Sequence, residues 1–320
     1  MNKDTVRANL AEAELQNARL KIKSLEHDIA HLAQSAHRHK VARRAATFSG
    51  VGGKTDKVEK LRVIFGDTHG SMIDRKSANS FLADVKILNP DEIIMLGDHV
   101  DCGGFLAQHH VMGYVAQTDY SYEEDIKCAN EFLDALQKVA PNASIDYIEG
   151  NHERRVETWC VTQTLRHAKD AEHLRRAFAP EYMLKLKERG INYYRQSEFY
   201  DDCRVPGMIK RGKCFFWHGV STAKHAGSAN LTQISGNVVF GHVHRIQAEV
   251  SRPVATGEIA AWCPGCLCNM QPLWQHTNPT SWTQGFAIQT VAKDGTFLHQ
   301  NVQIIDHKSL LGSLMEKISQ

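Results

Sequence analysis

A chain of 320 residues, 42% hydrophobic and 23% charged, has ordinary soluble-protein composition and room for one large domain plus an appendage. Its net charge of +2 excludes a protein that grips polyanions over its whole surface. No apolar run is long enough to span a bilayer and Met1 to Leu20 has no apolar signal core, so a cytoplasmic protein with no membrane partner is expected, its eight cysteines held as thiols.

Residues 5–40 read as one long helix. Ala8, Leu15, Ile22, Ile29 and Ala36 recur every seventh position, and Ala11, Ala18, Leu25 and Leu32 follow three residues on. This is a heptad seam, and Ile at one position with Leu at the other favours a parallel two-stranded coil. A homo-oligomer through residues 5–40 is therefore one expectation; a stripe packed on the chain's own domain is the other. Residues 1–50 hold nine Lys/Arg against five Asp/Glu, concentrated in a basic arm at 37–44 that could touch a nucleic-acid backbone. Residues 47–57 (TFSGVGGKTDK) are Gly-rich and aperiodic, as a linker would be. They lack the spacing of a phosphate loop.

From residue 58 the pattern alternates. Leu61–Gly66 and Glu92–Gly97 read as strands around a helix at Lys76–Leu88. Residues 104–139 read as mostly helical, with Ser121 as N-cap and Glu124 as its capping-box partner. Ile145–Ile148 is a third strand. Helices fill much of 154–189, broken near Pro180 and ended by Gly190. Ile191–Arg195, Lys213–Trp217, Asn237–Phe240 and Gln247–Val250 are strand-like, and Lys293-Asp294-Gly295 joins Phe286–Val291 to Thr296–Ile304 as a hairpin. Ser309–Ile318 reads as a docked amphipathic helix. The implied organisation is an N-terminal helix (1–46), a linker (47–57), an α/β domain with two packed sheets and outer helices (58–308), and a C-terminal helix (309–320).

Five short clusters carry the chemistry: Gly66-Asp67-Thr68-His69-Gly70, Gly97-Asp98-His99-Val100-Asp101, Gly150-Asn151-His152-Glu153, His218-Gly219 and Gly241-His242-Val243-His244. Three directly follow apolar, β-branched runs, so their side chains fall at strand ends, where α/β sheets place ligand sites. Asp67, His69, Asp98, Asn151, His218, His242 and His244 supply seven oxygen and nitrogen donors, and the Asp98 carboxylate can bridge two ions. Mixed imidazole and carboxylate donors suit Zn, Fe, Mn or Ni more than Mg or Ca. Two divalent ions sharing a water would generate a hydroxide that attacks phosphorus. His152, beside a donor rather than among them, is the expected general acid. Asp101 and Glu153 are expected either to hold histidine tautomers from behind or to stand as helix N-terminal carboxylates.

The order D-x-H, G-D-x-x-D, G-N-H-E, H, G-H-x-H over residues 61 to about 250 resembles the calcineurin-like metallophosphoesterase superfamily. The resemblance implies a four-layer αββα sandwich of two mixed β-sheets. It assigns Asp67, His69 and His244 to one metal and Asn151, His218 and His242 to the other, with Asp98 bridging and His152 donating the proton. Protein phosphatases of that superfamily follow the second motif with Arg-Gly; here Cys102-Gly103 stands there. Arg154 and Arg155 are the candidate replacements as phosphate holders. The stretch from Trp262 to Cys268 with Trp282 to Phe286 resembles metallophosphatases of tailed bacteriophages and prophages, which would place the protein in a host cytoplasm.

The implied activity is metal-dependent hydrolysis of phosphomonoesters or phosphodiesters. The alternatives are a nuclease or nucleotide phosphodiesterase using the basic arm, and a non-catalytic scaffold that keeps the fold. Cys263, Cys266 and Cys268 are either buried thiols near a tight turn or, with Cys203, Cys214 or His276, a structural zinc site.

Overall fold

The computed structural model describes residues 12, 14–31, 57–103, 120–164, 168–271 and 280–318. The chain forms two units, Met1–Asp56 and Lys57–Gln320. In the first, residues 14–31 are one helix (α1), on which Leu15, Ile22, Leu25 and Ile29 are each more than half exposed. Ala18 of the seam is exposed on the same helix; the remaining seam positions, the basic arm at 37–44 and residues 47–56 lie outside the described residues. Among the described residues, no helix is long and apolar enough to cross a membrane.

The second unit is an α/β sandwich of two mixed sheets. The first sheet has the order β11-β10-β1-β2-β3-β4, built from β1 (Val58–Phe65), β2 (Glu92–Met95), β3 (Ser144–Ile148), β4 (Asn192–Tyr194), β10 (Gly285–Ala292) and β11 (Phe297–Gln303). Strands β1 to β4 run parallel, and β10 and β11 are added antiparallel. The second sheet has the order β5-β6-β7-β9-β8, from β5 (Ile209–Arg211), β6 (Cys214–Trp217), β7 (Val238–Phe240), β8 (Ile246–Ser251) and β9 (Ile259–Pro264). Its central strands β6, β7 and β9 are parallel. Sequence pattern missed β5 and β9. The first is Ile-Lys-Arg, too short to show a period; the second is Ile-Ala-Ala-Trp-Cys-Pro, whose alanines and proline disfavour a strand until its neighbours pair with it.

Side-chain alternation sorts the apolar residues into layers. Ile64, Ile94, Ile148, Phe216, Val239 and Ala287 meet between the sheets. Their neighbours Val63, Phe65, Ile93, Met95, Ile145 and Tyr147 point the other way, onto α2 (Arg75–Leu88) and α3 (Tyr122–Val139) through Phe81, Val85, Ile126, Phe132 and Leu133. On the far side Trp217, Val238, Phe240 and Ala261 cover α7 (Ala226–Ile234). The expected αββα layering is therefore present, because parallel strands buried on both faces require a helix layer outside each sheet.

Local signals placed most boundaries well. Asp74 caps α2 by accepting from the Lys76 and Ser77 amides, and Ser121 caps α3 by accepting from the Glu124 amide. The Glu124 side chain meets Lys127 and Cys128. The helical stretch after residue 150 divides into α4 (Asn151–Gln163), α5 (Ala168–Phe178) and α6 (Pro180–Met183). Helix α8 (Leu311–Ile318) docks on α2, the Gly312 amide donating to Asp84 Oδ1 at 3.0 Å.

One strand residue carries a pH signature. His299 on β11 stacks on Trp262 at 4.6 Å and meets Asn301 Oδ1 at 3.0 Å. Burial, against the hydrogen bond to Asn301, pushes its imidazole from 6.5 down to about 4. The unfolded chain then binds the extra proton, so stability is full above about 6.5 and is lost as pH falls toward 4. Between pH 7 and pH 5, His299→Gln is expected to lose roughly 1–2 kcal/mol less than wild type in urea melts. Identical losses would remove His299 as the source.

Candidate metal centre

The C-terminal ends of five parallel strands open on one edge of the sandwich, and each delivers a donor. Asp67 and His69 follow β1, Asp98 follows β2, Asn151 follows β3, His218 follows β6, and His242 and His244 follow β7. The chain turns sharply there. Asp67, His69, Asp98, His242 and His244 all hold positive φ, from 51° to 71°, a conformation that non-glycine residues seldom adopt and that clusters at functional sites. Two glycines permit the close approach. A Cβ on Gly97, itself at φ 96°, would lie 2.6 Å from the Gly150 nitrogen, and one on Gly150 would lie 2.1 Å from Asp98 Oδ1.

Buried carboxylates hold these loops. Glu153 accepts from the amides of Asp98 (3.0 Å), His99 (2.7 Å) and Gly150 (2.9 Å) and from the Tyr147 hydroxyl. Of its two expected roles, behind a histidine or at a helix N-terminus, it takes the second, and from the helix start it also anchors the second loop. Asp125, which sequence reading passed over, accepts from the amides of Ser71, Asp101 and Cys102 at 3.0 Å each and from Tyr120. Asp101 does hold a histidine: His69 Nδ1–H donates to Asp101 Oδ1 at 3.0 Å.

The seven donors converge as two sets that share Asp98. Ligand atoms of Asp67, His69, Asp98 and His244 lie within 4.8 Å of one another, as do those of Asp98, His218 and His242. Asn151 Oδ1 is 2.9 Å from His218 Nε2. All are buried except Asn151 and His242, which are partly so. The geometry forces lone pairs together. His218 Nδ1–H donates to the Leu96 carbonyl at 2.7 Å, so Nε2 presents a lone pair to Asn151 Oδ1 and, at 3.2 Å, to Asp98 Oδ2. His69 Nε2 likewise faces His244 Nε2 at 3.2 Å, and His244 Nε2 lies 3.2 Å from Asp67 Oδ1. Without a cation such a set must hold protons. Burial works against the charge on His218, yet Asp98 and then Asp67 raise it to about 9. Burial and the His218 charge push His242 down to about 4. Against burial, neighbouring imidazoles hold Asp67 low and Asp98 well below the usual range. A buried donor set that demands positive charge fits divalent cations.

His152 lines the same edge without joining either of the two donor sets. Its amide donates to Asp98 Oδ1 at 2.8 Å, its Nδ1–H donates to the Asp101 carbonyl at 2.7 Å, and its Nε2 is 3.8 Å from Asp98 Oδ2. Burial opposes its protonation, but Asp98 and Asp101 raise its pKa above 6.5. The Arg155 guanidinium lies against that ring, Nη1 and Nη2 each 2.7 Å from a ring nitrogen, whereas Arg154 is exposed. Cys102, at the position of the protein-phosphatase arginine, is fully buried. The Trp282 ring meets that of His244 at 4.1 Å. All eight cysteines are free and buried. Among the described residues, Cys263, Cys266 and Cys268 do not gather with Cys203 or Cys214 as a separate metal cluster; His276 lies outside them.

No protein-family model matches the chain, and no curated protein matches it. Solved structures that overlay on it include Yfce, a phosphoesterase from E. coli, at 16% identity and TM-score 0.34, covering 75% of this chain and 98% of that one. Vacuolar Protein Sorting 29 from Cryptosporidium parvum overlays at 12% identity and TM-score 0.35, covering 78% of this chain and 93% of its own. Chaetomium thermophilum Vps29 does so at 11% and 0.34, covering 75% and 91%. Overlays this loose decide nothing about chemistry, which rests on the donors themselves.

Proposed function

We propose that this chain is a metal-dependent phosphoesterase of the calcineurin-like type, with two divalent ions held by Asp67, His69, Asp98 and His244 and by Asp98, Asn151, His218 and His242. The observation that carries the reading is the single buried carboxylate, Asp98, common to both donor sets. Bound there, divalent ions would neutralise phosphoryl oxygens and make a water acidic enough to attack near neutral pH. With Nδ1 held by the Asp101 carbonyl, His152 would carry the donated proton on Nε2, which faces Arg155 Nη2 at 2.7 Å and would turn to the departing oxygen once the phosphate draws Arg155 off. Arg155 is the better of the two arginine candidates for holding the phosphate, since it is partly buried beside His152. A non-catalytic scaffold would not need the His152–Asp101 pair behind a complete donor set.

A panel of p-nitrophenyl phosphate, its bis(p-nitrophenyl) diester, cyclic nucleotides and single- and double-stranded nucleic acid, with Mn, Ni, Zn and Fe supplied in turn, tests the reading. Turnover of at least one phosphoester is expected, abolished by chelation and restored by metal. Arg155→Ala should raise KM by roughly tenfold, the loss of one charged hydrogen bond to phosphate. A fully metal-loaded protein inert toward the whole panel would refute the hydrolase assignment.

A further inference from the structure

A sixth parallel strand end opens on the same edge. Strand β9 runs parallel to β7, and the turn after Pro264, with Gly265 at φ 89°, leads to Cys266, Leu267 and Cys268. The chain there is pinned to the first donor loop. The Leu267 amide donates to the Asp67 carbonyl at 3.2 Å, the Asp74 amide to the Leu267 carbonyl at 2.9 Å, and the Asn269 amide to the Met72 carbonyl at 2.9 Å. Cys268 pairs with Ile73 across an isolated bridge, and Gln284 Nε2 donates to its carbonyl at 3.0 Å. This framework sets Cys268 Sγ within 4.8 Å of the ligand atoms of both His69 and His244, at 2% exposure. Cys266 lies against the Cys268 thiol and has its Sγ 3.7 Å from the Thr283 carbonyl, but it does not join the group that Cys268 forms with His69 and His244. His244 differs from His69 and His218 in that its Nδ1 is buried with no hydrogen-bond partner among the described residues.

We propose that Cys268 supplies a thiolate to the ion held by Asp67, His69, Asp98 and His244. This rests on the metal reading above and adds a soft donor to one position only. The other position, with Asp98, Asn151, His218 and His242, has none. Sulfur favours thiophilic ions such as zinc, ferrous iron and cobalt, whereas an all-oxygen-and-nitrogen set accepts manganese readily. The two positions therefore select different ions, and the loaded protein is a mixed-metal centre. Binding forms a metal–sulfur bond and releases the thiol proton to solvent.

Titrating the full-length metal-free protein with Co(II) tests this by its near-ultraviolet spectrum. A thiolate-to-cobalt charge-transfer band is expected, absent in Cys268→Ser and retained in Cys263→Ser and Cys266→Ser. X-ray absorption of the wild-type zinc protein should show one sulfur at about 2.3 Å, a readout independent of whether any variant folds. Cys268→Ser should also lose zinc-over-manganese preference at one of two sites, by roughly 10–100-fold. Two bound cobalt ions with no sulfur signal, or a band that survives Cys268→Ser, would overturn the thiolate and leave the dinuclear centre standing. A protein that binds no cobalt at all would overturn both.

Discussion

Asp98→Asn is expected to strip the protein of metal and of turnover together. Its two carboxylate oxygens serve different sides: Oδ1 accepts from the His152 amide, and Oδ2 faces His218 Nε2 at 3.2 Å. An asparagine can keep both contacts in the metal-free protein, its oxygen on the His152 amide and its NH2 donating to the His218 lone pair. It does remove the buried charge that partners His218, which costs stability. The metal-free variant should therefore stay folded but melt somewhat lower than wild type, while metal per chain falls and phosphoester turnover drops beyond the roughly 10–100-fold seen when a mere supporting partner of a ligand is lost. Elemental analysis and steady-state rates on the same preparation check both. A variant with two ions per chain and near-normal rates would mean that Asp98 does not bridge.

His152→Ala is expected to act differently, leaving metal content intact and slowing turnover according to the leaving group. Proton donation is worth roughly 10²–10⁴-fold where the departing oxygen needs it. A p-nitrophenolate leaves without a proton; an alkoxide does not. The variant should thus lose little against p-nitrophenyl phosphate and most against alkyl phosphates. A plot of log rate against leaving-group pKa should become steeper. Equal losses for both classes would reassign His152 to holding Asp98, whose Oδ1 its amide already meets, or to seating Arg155, which lies against its ring.

Much of the centre was legible before the fold. Asp67, His69, Asp98, Asn151, His218, His242 and His244 could be picked out because each stands within three residues of a glycine after an apolar run, and a strand end is a local feature. Asp101 could be placed behind a histidine for the same reason, being three residues from Asp98. Glu153 could be placed only in part. Its place at a helix N-terminus is a local feature, but its distances to the main-chain amides of the second loop depend on how β2 and β3 sit side by side. Asp125, on α3, shows no local mark at all; only the packing of that helix against the first two loops gives its carboxylate three amides to hold.

Arg154 and Arg155 show the division plainly. Adjacent and identical in type, they differ by about 100° around α4, which exposes one and lays the other against His152. The cysteines show it again. Spacing grouped Cys263, Cys266 and Cys268 with one another, whereas the register of β9 beside β7 turns Cys268 toward His69 and His244.

By itself, then, the sequence determined the alternation of strands and helices, the strand-end donors and the demand for cations, since periodicity, turn chemistry and donor type are properties of short segments. The tertiary structure alone decided that two sheets face each other with their parallel strand ends on one edge, that a single carboxylate lies between both donor sets, and that a thiol from the turn after β9 lies beside His69 and His244. Those facts depend on distances between residues far apart in the chain, and such distances are set only when apolar faces from the whole molecule pack together.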